Sequence, residues 1–131
     1  AKVRELVTVI ELHLELVARR LYGAVFFGGT VSDSTKQSVE KDLAKGIRAL
    51  KALARFEPFI AGTEFTLADC AAAVHLPLVS LSTKLAYGRD FLDEIPQAKP
   101  YLKMLGARPA VAKVNADRKA AQEAMAARAK K

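Results

Sequence analysis

Apolar residues recur every three or four positions along most of the chain, which is the spacing of one face of an α-helix. They form one stripe from Val3 to Leu21 and a second stripe from Val39 to Leu53. Between the stripes, residues 28–34 are rich in glycine, serine and aspartate, which favour turns. Ser34 and Gln37 have the spacing of a capping box that would begin the second helix. The pattern therefore predicts two long helices joined by a turn.

A third helix is predicted from Thr66 towards Leu85. Its inward face is expected to comprise Leu67, Cys70, Ala71, Val74, Leu78 and Leu81. Alanines make the first half of this helix thin, so that neighbouring helices can approach it closely. Pro77 lies inside the helix and cannot donate a backbone hydrogen bond to Ala73, which predicts a kink.

Two shorter helical patterns complete the chain. A fourth helix is predicted over about 97–105, and a fifth begins at Pro109 with Val111, Val114 and Met125 towards the body. No segment shows the sustained alternation of a strand. The chain of 131 residues is therefore predicted to be one all-α domain of about five helices, with two long antiparallel helices packed around a central capped helix.

The start of the third helix carries the most specific local signal. Thr66 is suited to the N-cap position, where its hydroxyl accepts a hydrogen bond from the N–H of Asp69, and the Asp69 carboxylate can accept from the N–H of Thr66 in return. Phe65, one residue outside the helix, is expected to pack against Cys70 as a hydrophobic staple. The box and the staple would together determine where the central helix begins.

Composition and charge exclude several classes of protein. Apolar residues make up 51% of the chain, so a core can form and disorder is not expected. Cys70 is the only cysteine, which excludes an internal disulfide and favours a reducing compartment. The sequence begins with neither methionine nor a signal-like segment, and we therefore expect a processed product or an excised domain.

The net charge of +7 is concentrated near the C-terminus. Residues 101–131 hold eight of the 21 basic residues and only two of the 14 acidic ones. No aromatic residue follows Tyr101, although stacking on nucleic-acid bases would require aromatic side chains. A solvated positive tail is therefore favoured over a site for a polyanion.

Three side chains that could carry chemistry are interpreted structurally. Cys70, in an alanine-rich helix, is expected to be a small core residue rather than a nucleophile. His75 is expected to be a hydrogen-bonded core histidine rather than a proton carrier. Neither these two residues nor His13 has the short spacing of metal ligands, so no metal site is predicted.

Two segments resemble a known protein family. Residues 59–69, Phe-Ile-Ala-Gly-Thr-Glu-Phe-Thr-Leu-Ala-Asp, resemble the segment that begins the central helix in the C-terminal domain of cytosolic glutathione transferases, where a Ser/Thr-x-x-Asp capping box is found. Residues 101–111 are similar to the connection between the last two helices of that domain, which carries an aromatic residue, a methionine and Arg-Pro-Ala-Val. The order of elements also agrees, so the resemblance covers the whole chain.

The resemblance implies a larger parent protein. In the family, an N-terminal thioredoxin-like domain binds glutathione and activates its thiol, and we expect that domain to lie outside this chain. Glutathione would be the co-substrate of the parent, with no other cofactor, and the isolated chain is expected to be inactive. The implied partners are the chain's own N-terminal domain, a second copy in a homodimer and an apolar electrophile. Neither a membrane nor nucleic acid is expected as a partner, and the implied location is cytoplasmic.

Within the family, the C-terminal domain forms part of the dimer interface and a wall for the hydrophobic electrophile, lined from the first long helix. His13, Leu16 and Arg20 lie off the main apolar stripe of that helix and are the candidate substrate-binding residues, with a solvent-facing or dimer-facing position as the alternative. No catalytic residue of the family matches a position of this chain. The aromatic residues at the end of this helix are interpreted as a plug over the core or, alternatively, as a lid over the substrate: Tyr22, Phe26 and Phe27.

The competing interpretation is a non-enzymatic one. Some translation factors and tRNA synthetases are similar to this family and use the helical domain for protein docking, and some redox or stringent-response regulators share the two-domain plan. The residues upstream of Ala1 would discriminate between these functions. A thioredoxin-like segment with an early Tyr, Ser or Cys would favour the enzyme.

Overall fold

The computed structural model describes residues 2–129. Six side chains near the C-terminus lie outside the description: Ala110, Val114, Met125, Ala126, Arg128 and Ala129. The predicted inward positions of Val114 and Met125 are therefore outside the described residues, whereas Val111 is buried as predicted. Over residues 2–129 the backbone forms five helices and no strand, which confirms the all-α prediction.

The first helix, α1, runs over residues 2–26, but its hydrogen bonding changes along its length. Its parts are α-helical Lys2–Thr8, π-helical Val9–Glu15, α-helical Leu16–Ala18, 3-10-helical Arg19–Leu21 and α-helical Tyr22–Phe26. The π-helical part faces Gly46 of the second helix, where an added Cβ would stand 2.5 Å from the carbonyl oxygen of His13. The two backbones therefore approach closely at a point where only glycine fits.

The second helix, α2, comprises Asp33–Leu53. Its N-cap is Ser32, whose hydroxyl accepts a hydrogen bond from the N–H of Thr35 at 3.2 Å. The predicted capping box of Ser34 and Gln37 is therefore wrong, because Ser34 already lies within the first turn. The predicted apolar face of this helix is confirmed for four buried residues: Val39, Leu43, Ile47 and Leu50.

The remaining elements surround the central helix. They are α3 (Leu67–Tyr87), a 3-10 turn (Phe91–Glu94), α4 (Ala98–Gly106) and α5 (Pro109–Ala129). Helix α3 continues through Pro77 and ends at Gly88, which has a φ of 75°. Glycine adopts this left-handed conformation readily, so it is a favourable residue at the end of a helix.

The predicted inward face of α3 is largely wrong. Leu67 is 74% exposed and Val74 is 39% exposed, and Cys70 and Leu81 also lie on the outer face. The residues that pack inward are Ala68, Asp69, Ala71, Ala72, Ala73, Leu76, Val79, Ser82 and Thr83. Both faces of the helix are apolar, so periodicity alone does not identify the one that meets the core.

The hydrophobic core lies between α1, α2 and α3 and continues to the 3-10 turn. Leu6, Ile10 and Leu14 of α1 are fully buried in it, together with Phe91 and Leu92 of the turn. The alanines of α3 keep this helix thin where α1 packs against it. Among the described residues, no helix is both long and apolar enough to cross a membrane.

Candidate functional site

The carboxylate of Asp69 is fully buried at the start of α3 and joins three parts of the chain. The capping box is present: the Thr66 hydroxyl accepts from the N–H of Ala68 at 3.2 Å, and Oδ2 of Asp69 accepts from the N–H of Thr66 at 2.8 Å. Oδ1 of Asp69 accepts from the N–H of Ile60 at 3.0 Å and from the hydroxyl of Tyr101. Burial, aided by this hydrogen bond, raises the pKa of Tyr101 and keeps its hydroxyl a neutral donor.

The aromatic residue before the cap has contacts beyond those predicted. The Phe65 ring packs edge-on against Phe59 with centroids 5.8 Å apart, and the guanidinium of Arg108 lies 4.2 Å from the Phe65 centroid. Cys70, which was expected to be a buried core residue, is exposed because it lies on the outer face of α3. Its staple contact with Phe65 stays a prediction. Both segments that carry the family resemblance thus meet at the start of α3.

The three candidate substrate-binding residues lie on the outer side of α1. His13 lines a groove of about 460 Å³ between α1 and α2, together with Asp42 and Lys45. Arg20 donates a hydrogen bond to Asp42 at 2.8 Å, which lowers the pKa of that carboxyl group. Leu16 is 48% exposed. Asp42 therefore pairs with Arg20 and lines the same groove as His13, and Leu16 is an apolar surface residue.

An apolar cavity of about 360 Å³ lies at the C-terminal end of α1, between this helix, α3 and α5. Its lining comprises Tyr22, Val25, Phe26, Phe27, Leu78, Leu81, Leu85 and Gln122. The interpretation of the aromatic cluster as a core plug fits Tyr22, which is half-buried and packs against the core, but it is wrong for Phe27, which is 64% exposed. We refer to this space as the Tyr22 cavity.

Tyr22 lines this cavity, and its hydroxyl has no hydrogen-bond partner among the described residues. The hydroxyl oxygen of Tyr22 is buried and forms no hydrogen bond within the described part of the chain. Burial, with a smaller contribution from the nearby Glu15 carboxylate, raises the pKa of Tyr22 to about 12, and Arg19 opposes both effects. Glu15 is itself buried and accepts a hydrogen bond from Arg19 at 2.6 Å. At neutral pH the Tyr22 hydroxyl therefore keeps its proton.

His75 lies at the contact between α3 and α1 and is half-buried. Its Nε2 atom is 3.9 Å from the Glu11 carboxylate, and its Nδ1 atom is buried without a hydrogen-bond partner among the described residues. Over residues 2–129, no group of three or more His, Cys, Asp or Glu side chains could hold a metal ion. Nothing in this contact region resembles a nucleophile with its base.

Comparisons with known proteins agree with the geometry. The model of the family "Glutathione S-transferase, C-terminal domain" matches residues 33–103, which run from α2 into α4 and include the Asp69 cap. A Pseudomonas putida protein named glutathione S-transferase is 40% identical to the chain over 124 residues. This alignment covers 95% of the chain and 56% of that relative, so the chain spans about half the length of the relative.

Proposed function

The chain belongs to the glutathione S-transferase C-terminal domain family, and we propose that it is the electrophile-binding part of a glutathione transferase. In the proposed reaction the sulfur of glutathione forms a bond to an electrophilic carbon, and a leaving group departs or a strained ring opens. Activation of the thiol belongs to a thioredoxin-like N-terminal domain. The observation that carries the proposal is the Tyr22 cavity, an apolar space lined by a tyrosine whose hydroxyl is unpaired among the described residues.

The size and lining of the Tyr22 cavity fit a small aromatic electrophile. Its volume of about 360 Å³ lies within the range of ligand pockets, and its walls are almost entirely aliphatic and aromatic. The hydroxyl of Tyr22 would donate to a nitro, carbonyl or epoxide oxygen, on which negative charge develops as sulfur attacks. Because its pKa is raised to about 12, the hydroxyl keeps its proton at neutral pH.

The outer face of α1 would extend the wall. Leu16 offers an apolar contact, and His13 and Arg20 form a polar rim in which Asp42 holds the guanidinium at 2.8 Å. These three residues of α1 would contact the substrate. The alternative assignment for this face of α1 and α2, whose groove is lined by His13 and Lys45, is the pairing surface for a second copy of the chain.

The outer face of α3 would dock the N-terminal domain. Leu67, Val74, Leu81 and Leu85 are exposed at helical spacing and form an apolar stripe. Large exposed apolar patches mark interaction surfaces. The relative from P. putida is longer than the chain, and a domain that corresponds to the part of it outside the alignment would cover this stripe.

The proposal is tested by fusing the chain behind the N-terminal part of the P. putida relative and measuring conjugation of glutathione to chlorodinitrobenzene. The fusion is expected to turn over, whereas the isolated chain should not exceed the uncatalysed rate. In the fusion, Tyr22→Phe should lower kcat roughly tenfold, since a tenfold change corresponds to about one hydrogen bond. Phe26→Ser should raise KM.

Tyr87→Phe is the matched control, because the Tyr87 hydroxyl donates to the carbonyl of Lys36 and lies outside the cavity lining. It should leave kcat and KM unchanged. An active fusion that tolerates both Tyr22→Phe and Phe26→Ser would contradict the proposed wall. A folded fusion without activity would contradict the enzymatic proposal and favour the protein-docking alternative.

A further inference from the structure

The outward face of α2 carries a line of basic side chains. They recur every three or four positions, which is the spacing of one helix face, and all four are exposed: Lys41, Lys45, Arg48 and Lys51. The line lies opposite the buried face of α2 and is about 15 Å long at a rise of about 1.5 Å per residue. We refer to these four residues as the basic stripe.

The positive charge of the basic stripe is not neutralised within the protein. In the part of the chain that the structure describes, none of its four side chains forms an ion pair. Residues 43–55 contain no acidic residue. The Asp42 carboxylate, on the flank of the stripe, is already paired with Arg20 at 2.8 Å. The stripe therefore presents four positive charges to solvent.

The stability of α2 does not account for this arrangement. Like charges three or four positions apart repel one another and destabilise a helix, and the stripe contains three such neighbouring pairs. Only Lys51 lies in the last turn, where a cation offsets the helix dipole. An anionic partner along this face would remove the repulsion.

A small cavity brings a fifth cation beside the stripe. The cavity has a volume of about 170 Å³, lies between α2 and the 3-10 turn, and is lined by Arg48 and Arg89 together with Glu94. The Arg89 guanidinium lies 4.1 Å from the centroid of the Phe91 ring and 3.7 Å from the Glu94 carboxylate. Guanidinium groups bind phosphate through two parallel hydrogen bonds, so this cavity can hold a phosphate group at the edge of the stripe.

We propose that the basic stripe and Arg89 bind the phosphate backbone of a nucleic-acid duplex without reading its bases. A duplex carries one negative charge per about 1.7 Å of its axis, so a line of cations about 15 Å long faces several phosphates at once. Contacts from lysine and arginine to phosphates hold a duplex but carry no sequence information. This site does not depend on the proposed electrophile wall.

A lipid surface fits this face less well than a duplex does. By helical spacing, Glu40 and Asp42 occupy the two flanks of the stripe, and a plane of anionic headgroups would meet both carboxylates. Helices that lie on membranes also insert apolar side chains. None of the large exposed apolar side chains in the described ranges belongs to α2. The narrow line of charge therefore favours a linear polyanion.

The charge count of the sequence does not reveal the stripe. Residues 1–100 hold 13 basic and 12 acidic residues, and the excess positive charge lies after them. Nucleic acid was therefore not expected as a partner. The stripe emerges only when the basic positions of α2 are placed on the helix surface, with the acidic residues of this part of the chain on other faces.

The test measures binding of the 131-residue chain to a fluorescein-labelled DNA duplex by fluorescence anisotropy over a range of salt concentrations. A duplex of about 20 base pairs is longer than the stripe. The stripe variant Arg48→Gln/Lys51→Gln changes two residues that do not line the groove between α1 and α2. The matched control, Lys113→Gln/Lys119→Gln, removes the same charge from exposed positions of α5. Circular dichroism establishes that each variant is folded.

The stripe variant should raise the Kd of the duplex at least about tenfold at about 50 mM salt. The slope of log K against log salt should become less steep by about 1.8, because each lost phosphate contact removes about 0.9. The α5 control should change the Kd by less than about threefold, and a duplex of unrelated sequence should bind equally well. The charge-preserving variant Arg48→Lys/Lys51→Arg should retain binding, since the contacts depend on charge.

Four results would overturn the proposal. They are no binding of the unaltered chain at low salt, an equal loss of affinity in the α5 control, an unchanged salt slope in the stripe variant, and a loss of binding in the charge-preserving variant. Vesicles that contain phosphatidylserine separate a duplex from a membrane. The stripe variant should leave vesicle binding unchanged, and a loss there as large as the loss of duplex binding would also overturn the proposal.

Discussion

Removing the Asp69 carboxylate is expected to be among the most destabilising single changes in this chain. The carboxylate is fully buried and accepts from the N–H groups of Ile60 and Thr66 and from the hydroxyl of Tyr101. Ile60 and Tyr101 are themselves buried, so that water cannot replace the lost acceptor. Thr66 is half-buried, and its N–H can be hydrated in part.

The size of the effect follows from these donors. Each buried donor left without an acceptor costs about 1–3 kcal/mol, so the two buried donors together cost about 2–6 kcal/mol. Loss of half of the capping box adds about 1 kcal/mol. Asp69→Ala is therefore expected to remove about 3–7 kcal/mol from a free energy of unfolding that is about 5–15 kcal/mol in proteins of ordinary stability.

Tyr101→Phe offers a milder test of the same contact. It removes one hydrogen bond to a charged acceptor, worth about 1.5–3 kcal/mol, while the N–H groups of Ile60 and Thr66 still satisfy Asp69. Urea unfolding followed by circular dichroism gives both free energies by linear extrapolation. The double variant closes a cycle in which the Asp69–Tyr101 coupling should reach about 0.5–3 kcal/mol. A loss below about 1 kcal/mol for Asp69→Ala, or no coupling in the cycle, would refute the reasoning.

Two further predictions concern packing and acid stability. Gly46→Ala should lower the free energy of unfolding by about 1–3 kcal/mol, because its Cβ would stand 2.5 Å from the His13 carbonyl oxygen. The control Gly23→Ala, where an added Cβ meets no neighbouring atom, should raise the free energy of unfolding by about 0.5–1 kcal/mol. If urea titrations show that Gly46→Ala is stabilising, the close approach of α1 and α2 is disproved. Burial raises the pKa of Asp90, but hydrogen bonds to its carboxylate outweigh burial, and the pKa is lowered overall. The ionised carboxylate therefore contributes fully to stability above the unfolded pKa of about 3.9, and this contribution disappears as the pH falls through the lower folded pKa. Acid titrations of stability should therefore flatten below about pH 4 in Asp90→Asn but not in the exposed control Asp93→Asn.

The sequence predicted features that depend on neighbouring residues. The Thr66 cap can be predicted because the Thr66 hydroxyl and the Asp69 carboxylate lie three positions apart in the sequence, and the helices can be predicted from the spacing of their apolar residues. The hydrogen bond from Tyr101 to Asp69 is different, because it joins residues 32 positions apart. The resemblance placed both segments in one family, but no local pattern shows that their side chains meet.

The errors have physical causes as well. Ser32 and Ser34 are both good N-caps, and the structure begins α2 one residue after Ser32 because this serine has the extended backbone that a cap requires. The π-helical stretch Val9–Glu15 has no signal in the sequence beyond Gly46, whose missing Cβ matters only once the helices are placed together. The Tyr22 cavity is likewise assembled from helices that are distant in sequence.

The misassigned face of α3 is the most informative of these errors. Apolar periodicity marks every surface that avoids water, and α3 has two such surfaces, with alanines inward and the larger Leu67, Val74 and Leu81 outward. Small residues are required where helix backbones approach closely, so the inner face is thin because α1 presses against it. The larger outward residues suit the wider spacing of the contact between domains that we propose. The size of the side chains, rather than their hydrophobicity, therefore separates the core face of this helix from the face that we propose for docking.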